Sequence, residues 1–251
     1  MEKHTISHIM VQRTRELRQY VFIQFDVVDF YPSITEKLLN KALEYAKQYI
    51  HISDEDHKII FQARRSFLFN NGTPWNKKKN SKFDVAMGSF DGAECCELVG
   101  LYMLSLLQHL AINVGLYRDD GLGVSQLTHQ ETEQIIQEIS RIFKQNDLSI
   151  TSNVNHKKVD FLDVNLDLSS GLFKPYKKEN DCPIYIHKHS NHPPSVIKNI
   201  HGAVNQRFCS ISSNAAVFSE ETSDYQTAIA NGGHTHKLEY TPPANNTKKK
   251  E

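Results

Sequence analysis

Three aspartates stand at the ends of apolar segments in this sequence. Asp26 follows the apolar residues 21–25, and Asp119 and Asp120 lie between the apolar segments 112–117 and 121–124. A carboxylate at the end of a buried strand is costly unless a cation neutralises it. Mg²⁺ prefers oxygen ligands and takes only a few of them from protein. The three aspartates therefore predict a polymerase-type site for two Mg²⁺ ions, which Mn²⁺ can also fill.

The spacing of the acids suggests different roles for them. We expect Asp26 and Asp119 to bridge the two ions, and Asp120 to project from the turn as a weaker or outer ligand. Neighbouring carboxylates repel, so at least one of them should have a raised pKa before metal arrives. An alternative needs no metal, because Asp120-Gly121 is also a favoured pair for a type I′ hairpin turn.

The composition limits the classes of partner. The chain has 251 residues, of which 39% are hydrophobic, and its 29 Lys and Arg residues balance 29 Asp and Glu residues. Proteins that bind nucleic acid through its phosphates are usually basic, so a net charge of zero speaks mildly against that partner. Any basic surface must be local. The candidate clusters are Lys77–Lys79 with Lys82, Lys157 with Lys158, Lys174 with Lys177 and Lys178, and Lys248–Lys250.

Cysteine usage and hydropathy favour an intracellular protein, either cytoplasmic or nuclear. None of the four cysteines is in a C-x-x-C pair, and no disulfide framework is indicated. The sequence lacks an apolar segment of transmembrane length and an apolar signal core at the N-terminus. Cys182, His187, His189 and His192 have zinc-ligand types, but their spacing favours a polar strand and loop.

Periodicity predicts an α+β fold, an antiparallel sheet with helices packed on one face. Residues 21–28 and 112–126 predict a strand and a hairpin, and residues 149–152 and 161–176 predict further strands. Serine or threonine followed three residues later by an acid predicts helix starts at Ser33, Ser53 and Thr128. Residues 93–111 predict a central apolar helix, and residues 195–230 suggest short helices.

Several segments resemble motifs of reverse transcriptases. The stretch 25–34 (FDVVDFYPSI) resembles the first palm motif, 88–93 (GSFDGA) the glycine motif, and 117–120 (YRDD) the Y-x-D-D motif. The stretches 161–164 (FLDV), 185–187 (YIH) and 190–193 (SNHP) resemble the region after the palm in Penelope-like retroelements. The resemblance covers roughly residues 20–210 and implies an RNA-directed DNA polymerase.

The resemblance also implies roles for other residues. Tyr31 occupies the position of the aromatic gate that excludes a ribose 2′-hydroxyl, although it could equally pack in the core. The glycine motif implies template and dNTP contacts at Gly88 and Ser89. The Y-x-D-D motif places Tyr117 and Arg118 at the primer end, where Arg118 either crowds the primer or contacts phosphate. Lys157 or Lys158 falls where these enzymes carry a lysine proposed to protonate the pyrophosphate leaving group.

The chain departs from a complete enzyme of this family. The segment before Asp26 is too short for a fingers subdomain, so we expect weak triphosphate binding. The expected organisation is a lead-in over 1–19, a palm over 20–180, a partial helical thumb over 181–240 and a disordered basic tail over 241–251. The expected partners are an RNA or DNA template with a primer, and dNTP. The alternatives are a non-catalytic nucleic-acid-binding remnant and a two-metal nuclease.

Overall fold

The computed structural model describes residues 19–65, 68–75, 82–110, 112–178 and 183–242. Within these ranges the chain forms two compact units, which we call the N-terminal unit, Gln19 to His156, and the C-terminal unit, from Lys157 onward. Residues 1–18 of the predicted lead-in, the lysines at 77–79, Cys182 and residues 243–251 of the predicted tail lie outside the described ranges. No helix in the described part of the chain is both long and apolar enough to cross a membrane.

The N-terminal unit is built on a four-stranded antiparallel sheet in the order β4-β5-β1-β6. A separate short hairpin pairs β2 with β3. The elements in chain order are β1 (Val21–Val27), α1 (Phe30–Ser33), α2 (Glu36–Ala46), α3 (Asp54–Ala63), β2 (Leu68–Asn70), β3 (Thr73–Trp75), α4 (Gly92–Leu107), β4 (Asn113–Tyr117), β5 (Asp120–Ser125), α5 (His129–Lys144) and β6 (Ile150–His156).

One face of the sheet is buried under the helices. Ile23, Phe25 and Val27 alternate along β1 and belong to one core with residues of α2, α4 and α5. The ring of Phe25 meets that of Phe143 edge-on at 5.6 Å between centroids. Because strand side chains alternate between faces, Asp26 is directed to the opposite face, where Phe22 is buried but Asp26, near the end of β1, is exposed. The α+β prediction is confirmed.

Two of the three predicted helix starts are confirmed. Ser53 with Asp56 and Thr128 with Glu131 each form the reciprocal capping box. The third is wrong, because α2 begins after Thr35, whose hydroxyl accepts from the Leu38 N–H at 3.1 Å. Ser33 instead ends α1, a single helical turn where the sequence predicted only a turn.

The C-terminal unit contains a second antiparallel sheet and two long helices. Its elements are β7 (Lys158–Phe161), β8 (Val164–Asp167), β9 (Leu172–Pro175), α6 (Pro194–Ser210) and α7 (Ala215–Asn231), with the strands in the order β7-β8-β9. The predicted hairpin over 161–176 is confirmed for β8 and β9, but its first strand starts at Val164, because residues 162–163 turn the chain back from β7. The prediction of short helices is wrong, since each helix has 17 residues. Few of their residues are buried, which weakens the apolar periodicity that marks helix length.

Candidate functional site

The first and last of the three aspartates face each other across two strands. Asp26 on β1 is the register partner of Asp120 on β5. Residues directly opposite in an antiparallel pair point to the same face, with Cβ atoms about 4.5–5.5 Å apart. The same row continues to Tyr117 on β4 and Thr151 on β6. This face of the sheet therefore carries two adjacent carboxylates in a polar row at one end of the strands.

Asp119 lies in the turn that joins β4 to β5. The two turn residues are Arg118 and Asp119, and Arg118 has a left-handed backbone with φ of 55°. The carbonyl of Asp119 accepts a hydrogen bond from the Val27 N–H at 2.9 Å, which fastens the turn to the end of β1. The alternative of an Asp120-Gly121 turn is wrong, and so is the expectation that Asp120 projects from the turn. Asp120 is instead the first residue of β5.

A glycine next to the acids allows the two strands to approach. Gly121 is the register partner of Phe25, and a Cβ on Gly121 would lie 2.3 Å from the Phe25 ring. That distance is far inside van der Waals contact, so only glycine fits beneath the ring. The contact fixes the pairing of β1 with β5 one residue away from Asp26 and Asp120.

The charges of the three acids reinforce one another. Burial, followed by the charge of Asp119, raises the pKa of Asp26 above its usual range. Burial, then Asp119 and Asp26, raises the pKa of Asp120. Among the ion pairs of the described ranges, none joins a Lys or Arg to these three carboxylates. The trio is thus a concentration of negative charge that a bound cation would relieve.

The donor chemistry of the acids fits Mg²⁺ or Mn²⁺. Carboxylate oxygens are the hard ligands that these ions prefer. Within the described ranges, no group of three His, Cys, Asp or Glu side chains, these three aspartates included, is arranged so that it could hold a metal ion by itself. Mg²⁺ commonly binds through one or two carboxylates and completes its shell with water and substrate phosphates. Asp26, Asp119 and Asp120 are the residues that would hold it.

Tyr31 stands between the core and the acids. Its ring packs against the main core while staying partly exposed. The Tyr31 hydroxyl and the buried thiol of Cys96 act on each other's ionisation, and burial raises the pKa of Cys96 to about 12. Burial, then the charge of Cys96, raises the pKa of Tyr31, and Arg118 and Asp119 also act on it. A core contact and a gate over the acids are both compatible with this position, so the gate stays a prediction.

Tyr117 and Arg118 form the outer edge of the acid hairpin. Tyr117 is 44% exposed, and the Arg118 guanidinium carbon lies 5.4 Å from the centre of its ring. The Arg118 Nε is buried without a hydrogen-bond partner among the described residues. The proposed phosphate and primer contacts of these side chains stay predictions.

The glycine motif forms a loop before α4. Gly88 has φ of 86°, and the Ser89 hydroxyl donates to the Ala86 carbonyl at 2.9 Å. The template and dNTP contacts of Gly88 and Ser89 stay predictions.

Sequence reasoning missed Arg64, a buried residue that follows α3 and forms an ion pair with Asp91. No local pattern marks Arg64, because its partners are distant in the sequence.

Lys157 and Lys158 belong to the C-terminal unit. Lys158 forms an ion pair with Asp167 at 3.0 Å across the β7–β8 hairpin. The proton-donor role of either lysine stays a prediction.

The histidines of the proposed polar strand and loop make local contacts. The rings of His187 and His189 are 5.4 Å apart, and the His189 N–H donates to His187 Nδ1 at 3.2 Å. His192 Nδ1 hydrogen-bonds the Ser190 hydroxyl at 2.7 Å. Cys182, the fourth residue of that set, lies outside the described ranges.

Two solved telomerase structures share the fold of this chain. Telomerase from Candida albicans, in complex with the TWJ fragment of telomeric RNA, aligns with a TM-score of 0.55 and 9% identity over 92% of this chain and 42% of the telomerase chain. Telomerase from Candida tropicalis, in complex with the TWJ fragment of telomeric RNA, aligns with a TM-score of 0.53 and 11% identity over 92% of this chain and 43% of the telomerase chain.

No protein-family model matches the chain, and no curated protein matches it. The chain spans about two fifths of the length of the telomerase chains. At such low identity the likeness establishes the fold alone. The chain therefore has an α+β, reverse-transcriptase-like palm fold, with helices packed against an antiparallel sheet.

Proposed function

We propose that this chain is the palm part of an RNA-directed DNA polymerase that adds dNMP to a primer 3′-hydroxyl. The observation that carries the proposal is the register of Asp26 with Asp120, beside Asp119 in the turn. Two carboxylates on one face of a palm sheet, with a third in the adjoining turn and no ion pair to any of them within the described ranges, are suited to hold two divalent cations. The RNA bound in the telomerase structures makes a template–primer a reasonable partner for the same fold.

The reaction forms a bond between the primer 3′-oxygen and the α-phosphorus of dNTP. The bond from that phosphorus to the bridging oxygen breaks, the 3′-hydroxyl proton is released, and pyrophosphate leaves. The two ions, when bound, lower the pKa of the 3′-hydroxyl and neutralise charge on the triphosphate. Asp26 and Asp119 would hold both ions, and Asp120 would support them from the start of β5. Tyr31 would select dNTP, and Lys157 or Lys158 would protonate the pyrophosphate.

The proposal also covers the lineage from which this chain derives. The stretch 161–164 and the histidines near 187–192 favour a Penelope-like retroelement as the source. Two outcomes would change the proposal: strand binding without extension would indicate a non-catalytic remnant, and degradation of the primer would indicate a nuclease.

The test is primer extension on an RNA template with Mg²⁺ or Mn²⁺. We expect extension by the unaltered chain and only background with Asp119→Ala or with the Asp26→Ala, Asp119→Ala pair. Glu44→Gln is the matched control, since Glu44 is an exposed acid on α2 of the same unit. Robust extension by the double variant would refute the metal assignment.

A further inference from the structure

The segment 234–241, which follows α7, lies against both long helices of the C-terminal unit, and we call it the strap. It forms neither helix nor strand. Its side chains alternate in exposure. Leu238 is only 8% exposed and joins the core of this unit together with Tyr240, whereas Lys237 and Glu239 are exposed. This alternation is that of an extended chain with one face buried.

Side chains of α6 hold the main chain of the strap. The Asn205 amide makes two hydrogen bonds to Glu239, because its Nδ2 donates to the Glu239 carbonyl at 3.0 Å and its Oδ1 accepts from the Glu239 N–H at 2.9 Å. His201 Nε2 donates to the Lys237 carbonyl at 3.0 Å. Since His201 and Asn205 are four residues apart, both lie on the same face of α6.

One side chain of α7 holds the strap from the other helix. Gln226 Nε2 donates to the His236 carbonyl at 2.9 Å, and Gln226 Oε1 accepts from the Leu238 N–H at 2.9 Å. Gln226 and Asn205 thus each bind one N–H and one carbonyl of the strap, so both amides recognise main chain. These hydrogen bonds are independent of the strap's side chains, and the burial of Leu238 and Tyr240 adds selectivity.

A single glycine connects the strap to α7. Gly233 has φ of 79°, and the Gly233 and His234 N–H groups donate to the carbonyls of Ala230 and Ile229 at 2.8 and 3.2 Å. This is a Schellman motif, which ends a helix with a left-handed glycine. The direction in which the strap leaves α7 therefore depends on the conformation of this one residue.

A second copy of this chain carries the same segment that the groove between α6 and α7 fits. The hydrogen bonds of Asn205 and Gln226 are the same whether the strap comes from the same copy or from another, so only the hinge and the entropy of association differ. Charge does not oppose the approach of two copies, because 29 Lys and Arg residues balance 29 Asp and Glu residues. The strap has a high effective concentration at its own groove. Exchange therefore requires a high protein concentration or a hinge that cannot close.

We propose that the groove formed by α6 and α7 is a binding site for an extended peptide, and that two copies of this chain associate by exchanging their straps across it. Each strap leaves α7 through an open hinge at Gly233 and binds Asn205 and Gln226 of the other copy. The association is symmetric, because each copy contributes the same groove and the same strap. It does not depend on the proposed polymerase activity, and its tests use no nucleic acid.

The first test is complementation between two defective copies. Asn205→Ala damages the groove and leaves the strap intact, whereas Glu239→Pro removes the N–H that donates to Asn205 and leaves the groove intact. In a mixture, the strap of the Asn205→Ala copy can occupy the groove of the Glu239→Pro copy. We expect the two to bind each other at least about tenfold more tightly than either binds itself, because the hydrogen bonds to Asn205 are regained. Fluorescence anisotropy with one labelled copy measures this.

A pair of matched variants controls for nonspecific association. Gln206→Ala changes the exposed neighbour of Asn205 on α6, and Lys237→Ala changes an exposed side chain of the strap that His201 contacts only through the carbonyl. This pair should associate no more tightly than the unaltered chain does with itself. Circular dichroism checks that each variant keeps its helix content. Failure of the folded Asn205→Ala and Glu239→Pro copies to associate would overturn the proposal.

A peptide tests the groove separately. A labelled synthetic peptide of residues 234–242 should bind the Glu239→Pro chain, whose groove is intact and whose own strap is weakened. It should bind the Asn205→Ala chain at least about tenfold more weakly. Equal binding to the two chains would overturn the groove as a peptide site. Peptide binding without association of the mixed copies would overturn the exchange of straps.

The hinge provides a third test. Proline fixes φ near about −65° and has no N–H for the Ala230 carbonyl, so Gly233→Pro cannot form the left-handed turn. We expect sedimentation velocity to show a dimer dissociation constant lowered by at least about tenfold, and the addition of Glu239→Pro to abolish that gain. Gly202→Ala is the matched control, since Gly202 lies within α6. A Gly233→Pro chain that stays monomeric, with a strap that proteases cleave readily, would overturn the exchange.

Discussion

The three aspartates of the candidate site and the carboxylates of the C-terminal unit have opposite surroundings. In the C-terminal unit, acids on the strands and helices face cations, in the pairs Asp163–Arg207, Asp167–Lys158, Glu221–Lys174 and Asp224–Lys177. In the N-terminal unit, Asp26 and Asp120 face each other, with Asp119 alongside. The first arrangement serves the fold without any ligand, whereas the second is costly until a cation arrives.

The pKa values follow the same division. Burial alone would raise the pKa of Asp167, but hydrogen bonds from Lys158, Ser169 and Ser170 outweigh burial and lower it. The hydrogen bond and charge of Lys177 lower the pKa of Asp224. The pKa values of Asp26 and Asp120 are raised. Carboxylates in ion-pair networks also have shifted pKa values, but theirs are lowered. The raised pKa values of Asp26 and Asp120 are what mark these two as candidate functional groups.

The largest difference between the two units should be the effect of a glycine-to-alanine substitution on the free energy of unfolding. Gly121→Ala forces a methyl group into the Phe25 ring, and overpacking of this kind costs about 1–3 kcal/mol. Gly202 lies inside α6 with open space around it, so Gly202→Ala should add about 0.5–1 kcal/mol through helix propensity. Urea unfolding followed by circular dichroism measures both changes. Equal stabilities for the two variants would contradict the close approach of β1 to β5.

The next largest effect should be the stabilisation of the folded chain by bound Mn²⁺. At ten times its dissociation constant, Mn²⁺ should stabilise the unaltered chain by about 1.4 kcal/mol. Asp119→Asn should lose this protection and Asp167→Asn should keep it. Protons compete with the ion, and the raised pKa values of Asp26 and Asp120 make that competition begin at a higher pH than for ordinary aspartates. Thermal unfolding with and without Mn²⁺ across a pH series checks both expectations, and protection that survives Asp119→Asn would place the ion elsewhere.

The smallest effect should appear without metal, as opposite shifts in melting temperature. A raised pKa means that folding is favoured by protonation, so the penalty from Asp120 grows as pH rises from 3.8 through the raised value. Asp120→Asn should therefore raise the melting temperature at neutral pH, by up to about 4 °C.

Asp167→Asn should have the opposite effect at neutral pH. The lowered pKa of Asp167 gives stability that is present above 3.8 and is lost as pH falls through the folded value. Both differences should vanish in acid, where each carboxyl is protonated in the folded and unfolded chains. Calorimetry at neutral and acidic pH tests the pair, and shifts of the same sign at neutral pH would remove the distinction between the two regions.

Local sequence patterns predicted much of the N-terminal unit. The alternation along β1, the capping boxes at Ser53 and Thr128, and the hairpin around Asp119 depend on neighbours within a few residues. Where two local signals competed, prediction was wrong. Thr35 caps α2 in place of Ser33, because the residues 30–33 already form their own helical turn.

The amino-acid sequence by itself determined which acids are present, the capping boxes at Ser53 and Thr128, and the hairpin at the Y-x-D-D segment. Only the tertiary structure decided that Asp120 rather than Asp119 faces Asp26, that Phe25 covers Gly121, and that Arg64 anchors the loop at Asp91. The physical reason is distance along the chain. Hydrogen bonds of caps and turns close over three or four residues, whereas strand register and buried ion pairs join residues that meet only when the core forms.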